Sequence, residues 1–272
     1  MVEAVRSRYE AIGGSSPLLS TTLSQSSLLA KHCGLPCRVA TRFSTPSMEE
    51  VLGNIARENT LRDLVVVCGA PFRERVYYDD LREAESAVLA RGLVVPTLHQ
   101  APSWADHPAY VQGLANATQR VLEGMRGNSR VVLVLTAHSL PLRVVEEGDP
   151  YPQCVARTAA LLVERLGGNA PPALVAYQSQ GIPTEPWLGP DLSSALDQAR
   201  SMHADEVVVV PMGFPAEHLE TLFDLDIEAK RMAEKRGLRF SRVPCLDTDE
   251  LLIDGMGAVV EMVSPRPRRP MQ

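Results

Sequence analysis

Nothing in this 272-residue chain is long and apolar enough to read as a membrane span, which needs about 20 consecutive apolar residues. Positive charge is not in excess either. Lys and Arg number 27 against 33 Asp and Glu, a net charge of −6, which argues against a general nucleic-acid binder. Cysteine is sparse, with five residues at 33, 37, 68, 154 and 245. Cys33 and Cys37 form one CGLPC pair, and no second pair completes a zinc or iron–sulfur set. No signal peptide precedes them, so free thiols in a reducing cytoplasm are the expectation. The loop GGSSP (13–17) lacks both a preceding strand and a GK[ST] ending, so a phosphate-binding loop has little support.

Hydrophobic residues make up 45% of the chain, ample for a packed core. The pattern alternates strand and helix. A first helix runs to Ala11 and stops at Gly13-Gly14; a second covers Thr21–Lys31. A short strand is expected at Arg38–Phe43, then a helix from Pro46-Ser47 to Ala56. Strand Leu64–Cys68, helix Tyr78–Ala90, strand Leu93–Leu98 and helix Pro108–Met125 complete the first half. The second half repeats the scheme. Strand Val131–Leu135 leads to helix Tyr151–Leu166. Strand Ala173–Tyr177 leads through loop Gly181–Pro190 to helix Asp191–Met202. Strand Glu206–Pro211 leads to a long helix from Pro215. Strand Leu238–Val243 and helix Asp249–Val263 close the chain. The fold class is therefore α/β, as two doubly wound Rossmann-like domains with parallel sheets. They span 1–126 and 127–272 and meet near Arg126–Arg130. The arginines of the tail, Arg266, Arg268 and Arg269, are expected to be solvated.

The stretch VVLVLTAHSLPLRVVEEGDPY (131–151) carries the first chemical signal. His138 follows a strand whose carboxyl end should open onto a ligand crevice. An imidazole there serves as a base, a metal ligand or a structural group. Ser139-Leu140-Pro141 turns the chain away, and Gly148-Asp149-Pro150 marks a second turn. The second signal is PMGFPAEHLETLFDLDIEAKR (211–231). Pro215 suits a first helical turn. At helical spacing Glu217, Glu220, Asp224 and Glu228 fall on one stripe, with Leu219, Leu222, Phe223 and Ala229 opposite. Stacked carboxylates repel locally and suit a divalent cation; a solvated acidic face is the bland alternative, since Arg231 and Lys235 continue the stripe. His218 lies off it in a regular helix and reads as a surface or capping group. Trp187, one of two Trp, sits in a Gly/Pro-rich loop, as a plug on the core or a flat wall for a planar ligand.

On these residues the chain resembles the ferrochelatase family, which inserts ferrous iron into a porphyrin. The matching stretches are TAHSLP (136–141), GDPY (148–151), YQSQG (177–181), PWLGPD (186–191) and GFPAEHLETLFDLDIE (213–228). RVPCLD (242–247) and RYEAIGGSSPL (8–18) extend the match over nearly the whole chain, while Ala70–Asp80 departs from it. The resemblance implies a chelatase-type fold, with His138 and Glu220 catalytic beside the pyrrole nitrogens. It implies metal contacts from His138, Glu220, Asp224 and Glu228, and porphyrin contacts from Trp187, Gln178 and Ser179. The substrate it implies is coproporphyrin III or protoporphyrin IX, for heme biosynthesis, with Fe²⁺ as substrate, no permanently bound cofactor and no iron–sulfur cluster. A cytoplasmic monomer is expected, with no nucleic-acid partner. The family begins with an apolar strand ahead of its YEAIGG segment; here Met1 lies only eight residues before Tyr9, so the first sheet is expected to lack a strand. The alternative reading is a non-catalytic tetrapyrrole- or metal-binding relative.

Overall fold

The computed structural model describes residues 2–72, 75–125, 129–181 and 185–265. The first half contains α1 (Val2–Ala11), α2 (Leu18–Cys33), α3 (Met48–Glu58), β1 (Asp63–Val66), α4 (Arg75–Ala90), β2 (Thr97–Gln100) and α5 (Pro108–Glu123). The second contains β3 (Val131–His138), α6 (Leu142–Glu146), α7 (Tyr151–Leu166), β4 (Ala173–Gln178), α8 (Leu192–Ser201) and β5 (Glu206–Val210). A π-helical segment (Glu220–Ala229) then runs into α9 (Lys230–Lys235), followed by β6 (Arg239–Arg242) and α10 (Glu250–Val263). Residues 126–128 of the boundary expected near Arg126–Arg130, and the arginines of the tail, lie outside the described residues.

Both sheets are parallel, as the strand–helix alternation requires. β1 pairs with β2, and the larger sheet has the order β4-β3-β5-β6. From β3 the chain moves to β4 on one side; from β5 it moves to β6 on the other. The outgoing connections therefore diverge between β3 and β5, and that divergence opens a crevice at the strands' carboxyl ends.

β3 is buried on both faces, and its alternation sorts its side chains. Leu133, Leu135 and Ala137 enter the larger core, which also holds Tyr110 and Leu114 of α5, Val155 and Leu162 of α7, and Leu252 and Val259 of α10. Val132 and Val134 enter a second core with Leu192 and Leu196 of α8, Leu225 and Ala229 of the π segment, and Ala233 of α9. By the same period of two, Thr136 and His138 face the π segment. The larger core joins both halves, because α10 packs on α5 and α2 while α5 packs on α7.

Several expectations change. No strand forms at Arg38–Phe43, where only an isolated bridge pairs Thr41 with Ser47. Thr41 instead closes a local turn, its N–H donating to Pro46 O at 2.8 Å and its hydroxyl to Ser44 O at 2.6 Å. β2 begins after Pro96, which lacks an N–H for the ladder; Leu93 and Val95 instead pack on a small core with Leu52, Ala56 and Val88. The turn expected after His138 includes a short helix, α6. The helix expected from Pro215 starts only at Leu219, and its hydrogen bonds at once become π-type. The buried row of that helix is Thr221, Leu225, Ala229 and Ala233, whereas Leu219, Leu222 and Phe223 are only partly buried.

Candidate active site

His138 is the last rung of β3, opposite Gln178 of β4. Its side chain stands 34% exposed at the crevice. The Ser139 carbonyl lies against its Nδ1. A carbonyl can only accept, which assigns the hydrogen to Nδ1 and turns Nε2 toward the crevice. Tyr151 O–H donates to the His138 carbonyl at 2.8 Å, Ser139 N–H to Gln178 O at 2.7 Å, and the buried Ser139 hydroxyl to Leu188 O at 2.8 Å. The imidazole is thus held by backbone contacts on a rigid strand.

The loop after β5 supplies the opposing groups. Gly213 donates its N–H to Thr136 O at 3.0 Å, and a Cβ there would lie 2.8 Å from Ala137 Cα. Only glycine allows this loop so close to the end of β3. The loop carries Phe214, whose ring centroid lies 6.4 Å from that of His138 and 5.1 Å from that of His218. Glu220 Oε1 stands 3.5 Å from His138 Nε2, and its Oε2 stands 3.6 Å from His218 Nε2. His218 is therefore a partner of Glu220, contrary to the expectation of a surface or capping group. That expectation assumed a regular helix from Pro215; in the irregular approach, residues two apart reach the same side. The Ala216 carbonyl takes the hydrogen of His218 Nδ1 at 3.1 Å, so the two imidazoles share one tautomer and both turn Nε2 to the same carboxylate. Burial pushes the Glu220 carboxyl upward, but when the two rings are imidazolium ions, with a hydrogen on Nε2 as well as Nδ1, hydrogen bonds and charge from His138 and His218 outweigh it and hold it well below the usual carboxylate range.

The acidic stripe is only partly assembled. Asp224, 14% exposed, accepts from Ser179 Oγ at 2.8 Å and is ion-paired with Arg8 of α1. The Arg8 guanidinium also lies over the Phe223 ring, 4.8 Å from its centroid. Burial raises the Asp224 carboxyl, Ser179 and Arg8 pull it down, Glu220 pushes it up, and the net shift is upward. Glu228 is exposed. Glu217, placed on the same stripe by spacing, is instead bound to Arg242, Thr221 and the Cys245 N–H. Among the described residues no group of three or more His, Cys, Asp and Glu is set to enclose a metal ion. Two imidazoles and a carboxylate at these separations can pass a proton or touch a cation in transit.

Trp187 forms the adjacent wall. Its segment bridges antiparallel to Pro141, with Leu142 N–H donating to Pro186 O at 2.9 Å and Leu188 N–H to Leu140 O at 2.8 Å. The wall is thereby tied to the chain that leaves His138. The indole lies on Gly181, where a Cβ would fall 2.6 Å from Trp187 Cζ2. Residues 182–184 of that loop lie outside the described residues. Gln178, expected at a ligand surface, is only 4% exposed and lies beneath the site with His138 on its own face of the sheet. Ser179 reaches the site through Asp224, from a left-handed backbone at φ 58° that costs about 1–3 kcal/mol in a non-glycine residue. Sequence reading missed three contributors. Arg8 and Arg242 lie far from the site in the chain and carry no local signal. His218 had one, the HxE spacing that sets it two residues from Glu220.

This arrangement agrees with what the chain is similar to. The Ferrochelatase family model matches residues 1–263. A coproporphyrin III ferrochelatase of Geobacillus sp. (strain WCH70) is 32% identical over 96% of this chain and 86% of its own length. A ferrochelatase of Thermus thermophilus is 32% identical over 98% of this chain and 90% of its own. Among solved structures, SirB from Bacillus subtilis with Fe³⁺ superposes with a TM-score of 0.63 over 90% of this chain and 88% of that chain, at 13% identity, which establishes a shared chelatase-type fold. The chain belongs to the ferrochelatase family, and it is a porphyrin metal chelatase.

Proposed function

We propose that this protein inserts ferrous iron into coproporphyrin III or protoporphyrin IX, the metal-insertion step of heme biosynthesis. One observation carries the reading: His138 and His218 turn Nε2 toward the two oxygens of a single ionised carboxylate, at the mouth of the crevice between β3 and β5. Insertion places a divalent cation among four pyrrole nitrogens and removes two N–H protons. A neutral imidazole accepts such a proton near neutral pH, and Glu220 stabilises the imidazolium that forms. Glu220 also offers the incoming cation one anionic oxygen without enclosing it, so the ion passes on to the macrocycle. Trp187 offers a flat apolar face beside these groups. Asp224, its carboxyl raised by burial, is suited to take up a proton that leaves the imidazoles. Gln178 and Ser179 support the site from beneath, and Glu228 at the open end of the segment meets the metal in solvent. Iron is a substrate in this scheme. No helix of the described residues is long and apolar enough to cross a membrane, and the free thiols suit a reducing cytoplasm.

The test is anaerobic Fe²⁺ insertion, followed by loss of porphyrin fluorescence, with coproporphyrin III and protoporphyrin IX side by side. Turnover of one or both is expected, and His138→Ala should abolish it while leaving far-UV circular dichroism unchanged. A His138→Ala protein with near-wild-type turnover would remove His138 from the chemistry.

A further inference from the structure

Glu217 and Asp226 lie nine positions apart, one in the loop before the π segment and one in its middle, and a single side chain grips both. Arg242 of β6 donates from NH1 to Glu217 Oε1 at 2.7 Å, from Nε to Asp226 Oδ1 at 2.6 Å and from NH2 to Asp226 Oδ2 at 2.8 Å. The Arg242 side chain is 10% exposed, that of Glu217 15%. A guanidinium is a rigid planar fork, so it fixes the direction as well as the distance of what it holds. Glu217 is held from other sides too. Its second oxygen accepts from Thr221 Oγ1 at 2.7 Å, its first also accepts from the Cys245 N–H at 2.9 Å, and its own N–H donates to Asp247 Oδ1 at 2.9 Å. Thr221, fully buried, in turn accepts the His218 N–H at 3.0 Å. A continuous chain of bonds therefore runs from Asp226 through Arg242, Glu217 and Thr221 to the backbone of His218.

π-type hydrogen bonding is uncommon in helices and needs support from outside the segment. A brace spanning the entry and the body of the segment sets where it begins and how it is rotated. Both settings decide whether His218 and Glu220 meet and whether Glu220 reaches His138. We propose that Arg242 is a positioning residue for metal insertion, a two-armed bracket that aligns the His218–Glu220 pair toward His138. This rests on the proposed function for its kinetic consequence, but the bracket itself is readable without turnover.

The experiment compares wild type with Arg242→Gln, Arg242→Lys and Asp226→Asn. Zn²⁺ insertion gives KM for metal, KM for porphyrin and kcat, and hydrogen exchange reads the amides of residues 219–229. In Arg242→Gln, KM for Zn²⁺ should rise by about tenfold, as for other groups that orient metal-contacting side chains. KM for porphyrin should stay within about twofold, and the π-segment amides should exchange faster while β3 and β5 stay protected. Arg242→Lys keeps the charge but not the fork, and should recover only part of the loss. Should Arg242→Gln fail to fold, Asp226→Asn decides, since it leaves the Arg242–Glu217 pair; it should shift KM for Zn²⁺ in the same direction by a smaller factor. Full recovery in Arg242→Lys would show that charge alone suffices and overturn the bracket. So would unchanged metal kinetics and exchange in Arg242→Gln, or an equal loss across both substrates. Wild type that inserts no metal into any porphyrin would instead sink the functional reading, and hydrogen exchange would still decide the bracket.

Discussion

Glu220 and Asp224 sit four positions apart and titrate in opposite directions, and the difference is measurable. The Glu220 carboxyl is held low, because hydrogen bonds and charge from His138 and His218 overcome its burial. A lowered carboxylate stabilises the fold above its unfolded value of about 4.3 and loses that contribution as pH falls toward its folded value. Glu220→Gln should therefore lower Tm at neutral pH, with the gap closing only in strong acid. Asp224 is raised by burial, so its ionised form opposes folding at neutral pH. Asp224→Asn should leave Tm equal or higher there, the gap closing as pH falls below about 3.9. Melting curves at several pH values test both signs, and a matching response of the two variants would refute the assignment. Because Glu220 stabilises an imidazolium beside it, Glu220→Gln should move the imidazole limb of the pH–rate profile to lower pH; a profile that keeps its shape and position would remove that coupling. Trp187 supplies a separate test. Trp104 is 1% exposed and donates its N–H to Cys68 O at 3.0 Å, so it cannot meet a ligand in the crevice. Porphyrin should quench Trp fluorescence through Trp187, and Gly181→Ala should weaken that quenching by displacing the indole from its seat. Quenching that survives Trp187→Ala would place the porphyrin elsewhere.

The π segment combines a packed face with a chemical one. Leu225 is fully buried between the segment and the sheet, and its truncation to Ala should cost about 2–5 kcal/mol. The same change should disturb metal insertion, because Leu225 anchors the turn that carries Asp224. The carboxylates along the segment should differ in weight. Asp224→Asn should raise the metal concentration needed for half-maximal rate, whereas Glu228→Gln, at an exposed position, should stay within about twofold of wild type. Equal effects of both would restore the whole acidic stripe to the metal path.

At the scale of the whole molecule, the two sheets share one apolar core through α5 and α10. Tyr110 of α5 donates its hydroxyl to Met212 O at 2.8 Å, in the loop that leads to Phe214 and His218. Gln25 of α2 donates to Asp247 O at 2.7 Å, beside the Glu217 network. First-half helices thus hold second-half loops in place. A single cooperative melting transition is expected, with calorimetric and van't Hoff enthalpies in agreement. Tyr110→Phe would leave the Met212 carbonyl without that donor, at a cost of about 1–3 kcal/mol. Two resolved transitions in calorimetry would show that the halves fold independently.

The sequence by itself determined the strand–helix alternation, because buried strands and amphipathic helices leave local periodicities of their own. It also marked His138, Glu220 and Trp187, through a strand end, a stripe of carboxylates at helical spacing and a loop tryptophan that are all local. Only the tertiary structure decided which groups meet them. The pairing of Arg8 with Asp224 spans 216 positions, and no periodicity encodes a contact at that separation. The Arg38–Phe43 strand failed because a strand exists through its neighbour's hydrogen bonds, which the sequence of one segment does not contain. The π register was hidden for the same reason. Local spacing implied an ordinary helix from Pro215, while Arg242 and the buried row Thr221, Leu225 and Ala229 hold a later start and a wider turn. His218 became a partner of Glu220 through that change of geometry, which depends on packing between elements far apart in the chain.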